Sequence, residues 1–483
     1  MHYTILDCYT DEPSGLGVPP FLGTYPRYIY GKLLLEGNSV SYITIDDMRF
    51  LQRYKEKSED KAKTNIWIYN RTRDIKPIIS KTDVFIVISG VHVPGKYLSA
   101  IPGTLREVID LIKDLPCKKI LTGPAATEFG TSVEGGKFAE RQDLSIFEEV
   151  IPDYVHNYSE IAKASVAGAK IIDEIPYHVI AEIETARGCK KSVPCSFCTE
   201  PLKNCFEKRN PKDIVDEVIA LNKKGIKHFR LGKQSDFFTI DTTDMEYILK
   251  TIRASCDIET LHIDNCDPAM ATEEKIKLIV KYCTEGNVAA LGVETFDCVV
   301  VKANFLNSNP AMALKAIRLI NKYGSAKGEN GMPKFLPGIN IIFGLINESR
   351  NTHVENMKYF SSILDEGLLL RRINIRQVAI YKGTAIEKTA GNKFIKKNKK
   401  YYWKWRHEIR QKIDNPMLAR LAPIGAILKK VRMEVHDGNT TFGRQVGTYP
   451  LIIGVTKKLE LKKEYNIKVT GHMLRSITGE IVS

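Results

Sequence analysis

Three cysteines, Cys189, Cys195 and Cys198, stand within ten residues of one another at C-x5-C-x2-C spacing, in the run Glu184-Thr185-Ala186-Arg187-Gly188-Cys189-Lys190-Lys191-Ser192-Val193-Pro194-Cys195-Ser196-Phe197-Cys198. Three thiolates this close can each bind one iron of a [4Fe-4S] cubane and leave the fourth iron open. An open iron can take a ligand. Cys205 follows seven positions after Cys198, so four cysteines also allow a tetrahedral structural zinc. Cys195 with Cys198 alone forms a redox C-x-x-C, which leaves Cys189 without a role. The remaining six, Cys8, Cys117, Cys256, Cys266, Cys283 and Cys298, lie scattered beside apolar runs and read as small core residues.

The elements that must position these thiols can be read from periodicity. The chain has 483 residues, 43% of them apolar, which at roughly 150 residues per domain predicts two to four domains. Residues 178–390 alternate six candidate strands (178–186, 227–232, 260–265, 288–295, 338–345 and 371–380) with five helical stretches (211–224, 243–254, 272–285, 309–323 and 350–366). Several of the helices open after Pro, Asp, Thr or Asn. Six strands with five crossovers make three-quarters of an eight-fold β/α barrel, whose ligands sit at the carboxyl ends of the strands. The cysteine run begins at such an end. Residues 1–126 have the rhythm of a doubly wound parallel sheet: strands Tyr3 to Tyr9, Val40 to Ile45, Asp83 to Ser89 and Lys119 to Ala125, helices Thr24 to Glu36 and Pro102 to Leu115. Gly15 to Pro20 resembles a phosphate loop only loosely and reads as a plain connection. Residues 127–177 read as a connecting segment with some helix around Ser145 to Val150. The predicted fold class is therefore α/β: a doubly wound front, a partial (β/α)6 barrel and a basic, β-rich tail.

A vacant iron is what reductive cleavage of S-adenosylmethionine (SAM) requires, because the amino and carboxylate groups of SAM chelate it while an electron enters the sulfonium. Here the residues resemble the radical SAM superfamily, over about 178–390. Phe197 directly before the last cysteine, the location after strand one, Gly292-Val293-Glu294-Thr295 ending strand four, Ile342 to Glu348 as a fifth-strand motif, and Arg376 with Gly383-Thr384 at strand six all carry the resemblance. It implies metal ligation by Cys189, Cys195 and Cys198, and SAM placement by Gly232, Gln234, Glu294, Gly344 and Arg376. It also implies a [4Fe-4S] cluster, SAM as cosubstrate or cofactor, and an electron donor as partner. Two features depart from the family pattern: the loop is two residues longer than the commonest C-x3-C-x2-C, and its Gly-Gly-Glu element stands here as Gly232-Lys233-Gln234. The order from front to tail resembles that of uncharacterised archaeal radical SAM proteins with a methylthiotransferase-like arrangement, which implies a transferase.

A doubly wound domain before such a barrel resembles a cobalamin-binding domain. The loop Asp7 to Pro13, however, lacks the histidine of the common DxHxxG motif, so cobalamin is not expected. The tail, 391–483, holds 20 Lys and Arg against 7 Asp and Glu, a net +13 of the whole chain's +14. Its lysines run into Tyr401-Tyr402-Trp403-Lys404-Trp405, offering cations to phosphates and rings to unpaired bases, so RNA, tRNA in particular, is the expected substrate or partner. The alternatives are aromatics packed on the barrel, an RNA-binding protein with structural zinc, or radical chemistry on a lipid or small metabolite. No apolar stretch is long enough for a membrane span and no leader precedes the first strand, so the expected location is the cytoplasm, where the cysteines are reduced.

Overall fold

The structure is a computed structural model that describes residues 1–12, 15–53, 61–63, 66–67, 70–90, 100–127, 132–133, 137–138 and 142–482. Pro13 of the front loop, and most of 128–141 in the connecting segment, lie outside these. Two compact units divide the chain: Met1–Thr185 with Arg209–Phe229 and Thr251–Ile258, and Ala186–Lys208 with Arg230–Lys250 and Glu259–Ser483.

In the first unit, five parallel strands stand in the order Glu149–Ile151, Lys118–Thr122, Val84–Ile88, His2–Asp7, Ser39–Thr44. In chain order this is 2-1-3-4-5 read from the other edge, a doubly wound arrangement whose switch point lies between His2–Asp7 and Val84–Ile88. Buried runs such as Val84 to Ile88 form these strands because both faces are covered. The helix expected around Ser145 to Val150 is instead the strand Glu149–Ile151. Three residues are too few for any periodicity to show, and pairing with Lys118–Thr122 decides the conformation. The helix Thr24–Leu35 crosses Tyr158–Ala167 at glycine contacts: a Cβ on Gly31 would stand 1.9 Å from the Ala164 carbonyl, and one on Gly168 would stand 2.1 Å from that of Arg27. Arg27, fully buried, donates to Glu217 at 2.6 Å and to the carbonyls of Glu182, Leu22 and Gly23. Phe21–Leu22, two residues before that helix, pairs in parallel with Ile180–Glu184.

In the second unit, Asn265–Cys266, Asn287–Glu294, Phe335–Phe343 and Arg372–Gln377 form a parallel sheet in that order. The helices between them start where the sequence signals it. Thr272, Asn309 and Asp297 accept hydrogen bonds from backbone amides of their first turns, and Pro310 takes the first helical position. The tail opens with the helix Lys393–Ile409, whose buried Phe394, Asn398, Tyr402, Trp405 and Ile409 follow helical spacing. It ends in a closed five-stranded barrel of Ile427–Asp437, Thr440–Gln445, Ile452–Val455, Ser476–Ile481 and Glu464–His472. Leu428, Val431, Met433, Ile453, Ile467, Val469 and Ile477 fill its core. Among the described residues no helix is long and apolar enough to cross a membrane.

Candidate active site

The cysteine loop leaves the antiparallel pair Ala186–Arg187 and Glu207–Lys208, which closes its base. Gly188 is required there: its φ is +70°, and a Cβ would stand 2.5 Å from the Cys205 carbonyl carbon. Its amide donates to Glu200 Oε1 at 3.0 Å, and its carbonyl accepts from Ser235 Oγ at 2.7 Å. Deeper in the loop, Ser196 donates its hydroxyl to Asn304 Oδ1 at 2.7 Å and its amide to the Asn304 carbonyl at 2.9 Å. Asn304 is fully buried and also exchanges hydrogen bonds with the backbone of Ile346. It thereby ties the loop to the segment after Phe335–Phe343. Sequence reasoning missed Asn304, because nothing local marks an asparagine that works through contacts 42 and 108 residues away.

Cys189, Cys195 and Cys198 are half-buried, whereas Cys205 is exposed, and all ten cysteines are free. Burial pushes the Cys195 thiol up, against the pull of Lys191, whose Nζ lies 3.4 Å from its sulfur. Burial also pushes Cys198 up, to about 12, with Cys195 and Cys189 adding like charge. The three sulfurs are thus near enough to sense one another. Among the described residues, however, no three His, Cys, Asp or Glu side chains converge on one metal-sized point. A single zinc would draw its ligand sulfurs to about 2.3 Å from one ion. A cubane gives each thiolate its own iron and keeps the sulfurs further apart.

Glu294 ends the strand Asn287–Glu294 with φ at +63°, a strained conformation for a residue with a side chain. Its Oε2 is buried without a hydrogen-bond partner among the described residues. Burial pushes this carboxyl up to about 8, opposed by the nearby Arg376, and its charge in turn reaches Cys195. Cys195, Glu294 and Arg376 therefore share one electrostatic neighbourhood. The other candidates stand differently. Gln234 is buried, its amide turned back to the Leu231 carbonyl at 3.1 Å, and its backbone amide bonds to the carbonyl of Gly232. Gly344 has φ at +94°, donates its amide to Glu348 at 2.7 Å, and leaves room for Ile395 of the helix Lys393–Ile409. The donor set fits the implied groups: three free thiols for iron, and a partnerless buried carboxyl oxygen for a cationic ligand.

An uncharacterised protein of Methanocaldococcus jannaschii is 39% identical, spanning 99% of this chain and 93% of its own length. One of Archaeoglobus fulgidus is 36% identical over 99% of this chain and 90% of its own length. The chain belongs to this archaeal family. No family model matches the chain. The fold is that of radical SAM proteins: the radical SAM methyltransferase TsrM of Kitasatospora setae superposes with a TM-score of 0.51 at 12% identity, covering 80% of this chain and 76% of TsrM. The TsrM structure holds cobalamin and a [4Fe-4S] cluster, and this overturns the expectation that cobalamin is absent. The missing histidine in the front loop leaves the carboxyl edge of the sheet intact. At that edge the hydroxyls of Ser89 and Thr122 are buried without partners among the described residues, and Gly123 turns the chain with φ at +80°.

Proposed function

We propose that the chain is a radical SAM enzyme in which Cys189, Cys195 and Cys198 hold three irons of a [4Fe-4S] cluster and Glu294 and Arg376 place SAM. The observation that carries this reading is Glu294, a strained carboxyl with a buried, unsatisfied oxygen whose charge reaches Cys195. Bound there, the cluster would supply the electron that splits SAM into methionine and a 5′-deoxyadenosyl radical for hydrogen abstraction and group transfer. The chain's own residues prepare the site. Lys191 favours the thiolate of Cys195, while Ser196 and Asn304 fix the loop. Glu294 offers its free oxygen to an N–H of the SAM amino group and its charge to the sulfonium, and Arg376 offers a guanidinium to the carboxylate. Gln234 serves only by releasing the Leu231 carbonyl, and Gly232 and Gly344 serve through backbone. An external electron donor completes the requirement, and the ten free thiols suit a reducing cytoplasm.

In this reading residues 1–126 with the edge strand Glu149–Ile151 form a cobalamin domain, the rest of 127–177 connects, 178–390 form a partial (β/α)6 catalytic barrel, and 391–483 form a basic helix with a β module. The switch point of the front sheet and the partnerless hydroxyls of Ser89 and Thr122 support a ligand at its carboxyl edge. Anaerobically reconstituted protein is expected to be brown, to carry four irons per chain by chemical analysis as a [4Fe-4S] cluster requires, and to release 5′-deoxyadenosine from SAM under a strong reductant. It should retain cobalamin through gel filtration. Colourless protein with one zinc overturns the radical reading, and cobalamin eluting free overturns the front-domain assignment.

A specific observation favours RNA as a second reading. Lys396, Lys397, Lys399 and Lys400 line an open depression of about 610 Å³ with Trp403, which is 66% exposed, on the helix Lys393–Ile409. An exposed ring amid lysines suits a stacked base and its phosphates. Tyr402 and Trp405 of the same run instead pack near Phe343. Trp403→Ala is expected to weaken binding of single-stranded RNA by about tenfold. Unchanged binding, measured by fluorescence anisotropy at fixed salt, sinks this reading.

A further inference from the structure

The strand Arg372–Gln377 alternates. Ile373 and Ile375 are buried, whereas Arg372, Asn374 and Arg376 are only partly so. The parallel register sets Arg372 beside Gly338, Asn374 beside Asn340 and Arg376 beside Ile342. These side chains therefore share one face of the sheet. Arg376 stands at the Glu294 end, and Arg372, four residues back, lies about 13 Å further along at roughly 3.3 Å per residue. Gly338 makes room for it, since a Cβ there would stand 3.1 Å from Arg372 Cγ.

The far end of this face meets a residue from the C-terminal barrel. Tyr449 lies between Thr440–Gln445 and Ile452–Val455, and its ring centroid is 3.9 Å from the Arg372 guanidinium carbon. Its hydroxyl donates to Asp264 Oδ1 at 2.7 Å, and Asp264 is paired with Arg230 at 2.9 Å. Arg371 donates to the Tyr449 carbonyl. The loop is pinned just before it: Thr448 donates its amide to His262 Nδ1 at 2.9 Å, and a Cβ on Gly447 would stand 2.7 Å from the same ring. Tyr449 itself is held at a φ of +51°, a strained state that persists only where the surroundings dictate it.

The charges at this end do not balance. Among the described residues Arg372 has no ion-pair partner. The nearby carboxylates are committed, Asp264 to Arg230 and Asp414 to Arg410. Arg371, Arg376 and Arg410 add positive charge around it. A half-buried guanidinium without a counter-charge is costly, and its planar donors match a carboxylate or a phosphate.

We propose that this face, from Glu294 to Tyr449, is the substrate site, that it takes a small molecule bearing a carboxylate or phosphate held by Arg372, and that Tyr449 closes its floor and sets the substrate's length. The inference rests on the radical SAM reading for the word substrate, but the anion site stands on its own geometry. Anaerobically reconstituted full-length protein is titrated calorimetrically with inorganic phosphate, succinate and phenyl phosphate. Phosphate or succinate is expected to bind, and Arg372→Gln to weaken that binding by about tenfold or more. Arg372→Lys, which keeps the charge, should lose less. Tyr449→Ala should raise affinity for phenyl phosphate by about tenfold by opening the floor. Replacing Arg318, an exposed arginine paired with Glu366, by Gln should leave the binding of the small anions unchanged. Preference between phosphate and succinate assigns the anionic group. Binding of neither anion, or binding indifferent to Arg372→Gln, overturns the proposal. SAM cleavage in the same batches separates the two failures: cleavage without anion binding removes only the substrate class, while anion binding through Arg372 without cleavage removes the radical reading.

Discussion

At the scale of single residues the decisive groups are those whose surroundings deny them a partner. Glu294 is pushed up to about 8 by burial, so at pH 7 its carboxyl is largely protonated before any ligand arrives. A cation placed at its free oxygen lowers that value and expels the proton. Glu294 is therefore expected to contribute close to one proton to the release on SAM binding at pH 7, and progressively less above pH 8. Calorimetry in two buffers of different ionisation heat reads this directly. Glu294→Gln should remove that contribution and weaken SAM by about tenfold or more, the worth of a charge-assisted hydrogen bond. A release unchanged by the substitution removes Glu294 from the site. Cys189→Ala, Cys195→Ala and Cys198→Ala should each lower iron content and abolish 5′-deoxyadenosine, whereas Cys205→Ala should change neither, because Cys205 is exposed while the trio is half-buried. The trio was legible because its chemistry lies in ten consecutive residues. Arg372 and Tyr449 were not legible, since 77 positions separate them and only the fold joins them. Gln234 shows the opposite failure: its position was legible, but the direction of its side chain, back to Leu231, was not.

At the scale of elements, the strand and helix rhythm of 178–390 was legible because several crossovers carry their own start signal. Asn210 before Pro211 and Asn309 before Pro310 both cap their helices. What escaped were elements of two or three residues, Phe21–Leu22 and Glu149–Ile151, whose conformation comes from the strand they join and not from their own pattern. Phe21–Leu22 matters because it joins the front of the chain to Ile180–Glu184, the strand that leads into the cysteine run. Beside it, Arg27 bridges Glu217, the Glu182 carbonyl and its own helix entry, and Arg209 shares Glu217 while donating to the Glu184 carbonyl. Removing one partner from so buried a pair leaves the rest uncompensated, which costs about 3–5 kcal/mol. Arg27→Ala should therefore lower the denaturation midpoint sharply. Arg318→Ala, which removes an exposed pair with Glu366, should leave it in place. Equal effects of the two would show that the buried network is not what holds these elements together.

At the scale of the whole molecule, two electrostatic accounts of stability make opposite forecasts. The chain carries +14 and has a sequence pI near 9.1, so raising the pH toward that value reduces self-repulsion and, by that effect alone, strengthens the fold. The interior argues the other way. Burial pushes Glu294 up to about 8, Asp236 and Glu348 up to about 7, and Asp7 and Asp47 up to about 6. A carboxyl whose folded value lies above its unfolded one holds an extra proton in the native state. Its contribution is fully present below the unfolded value and is lost as the pH climbs through the folded one. Five such groups, set against surface charges that water and salt screen, should make the ligand-free protein lose stability steadily between about pH 5 and pH 8. Thermal midpoints across that window at constant ionic strength test this. Glu348→Gln, which keeps a side chain able to accept from the Gly344 amide, should flatten the slope near pH 7. Bound SAM should flatten it near pH 8 by engaging Glu294. A midpoint that rises with pH would mean that surface repulsion outweighs the buried carboxyls, and that the interior already supplies them with more compensation than their burial indicates.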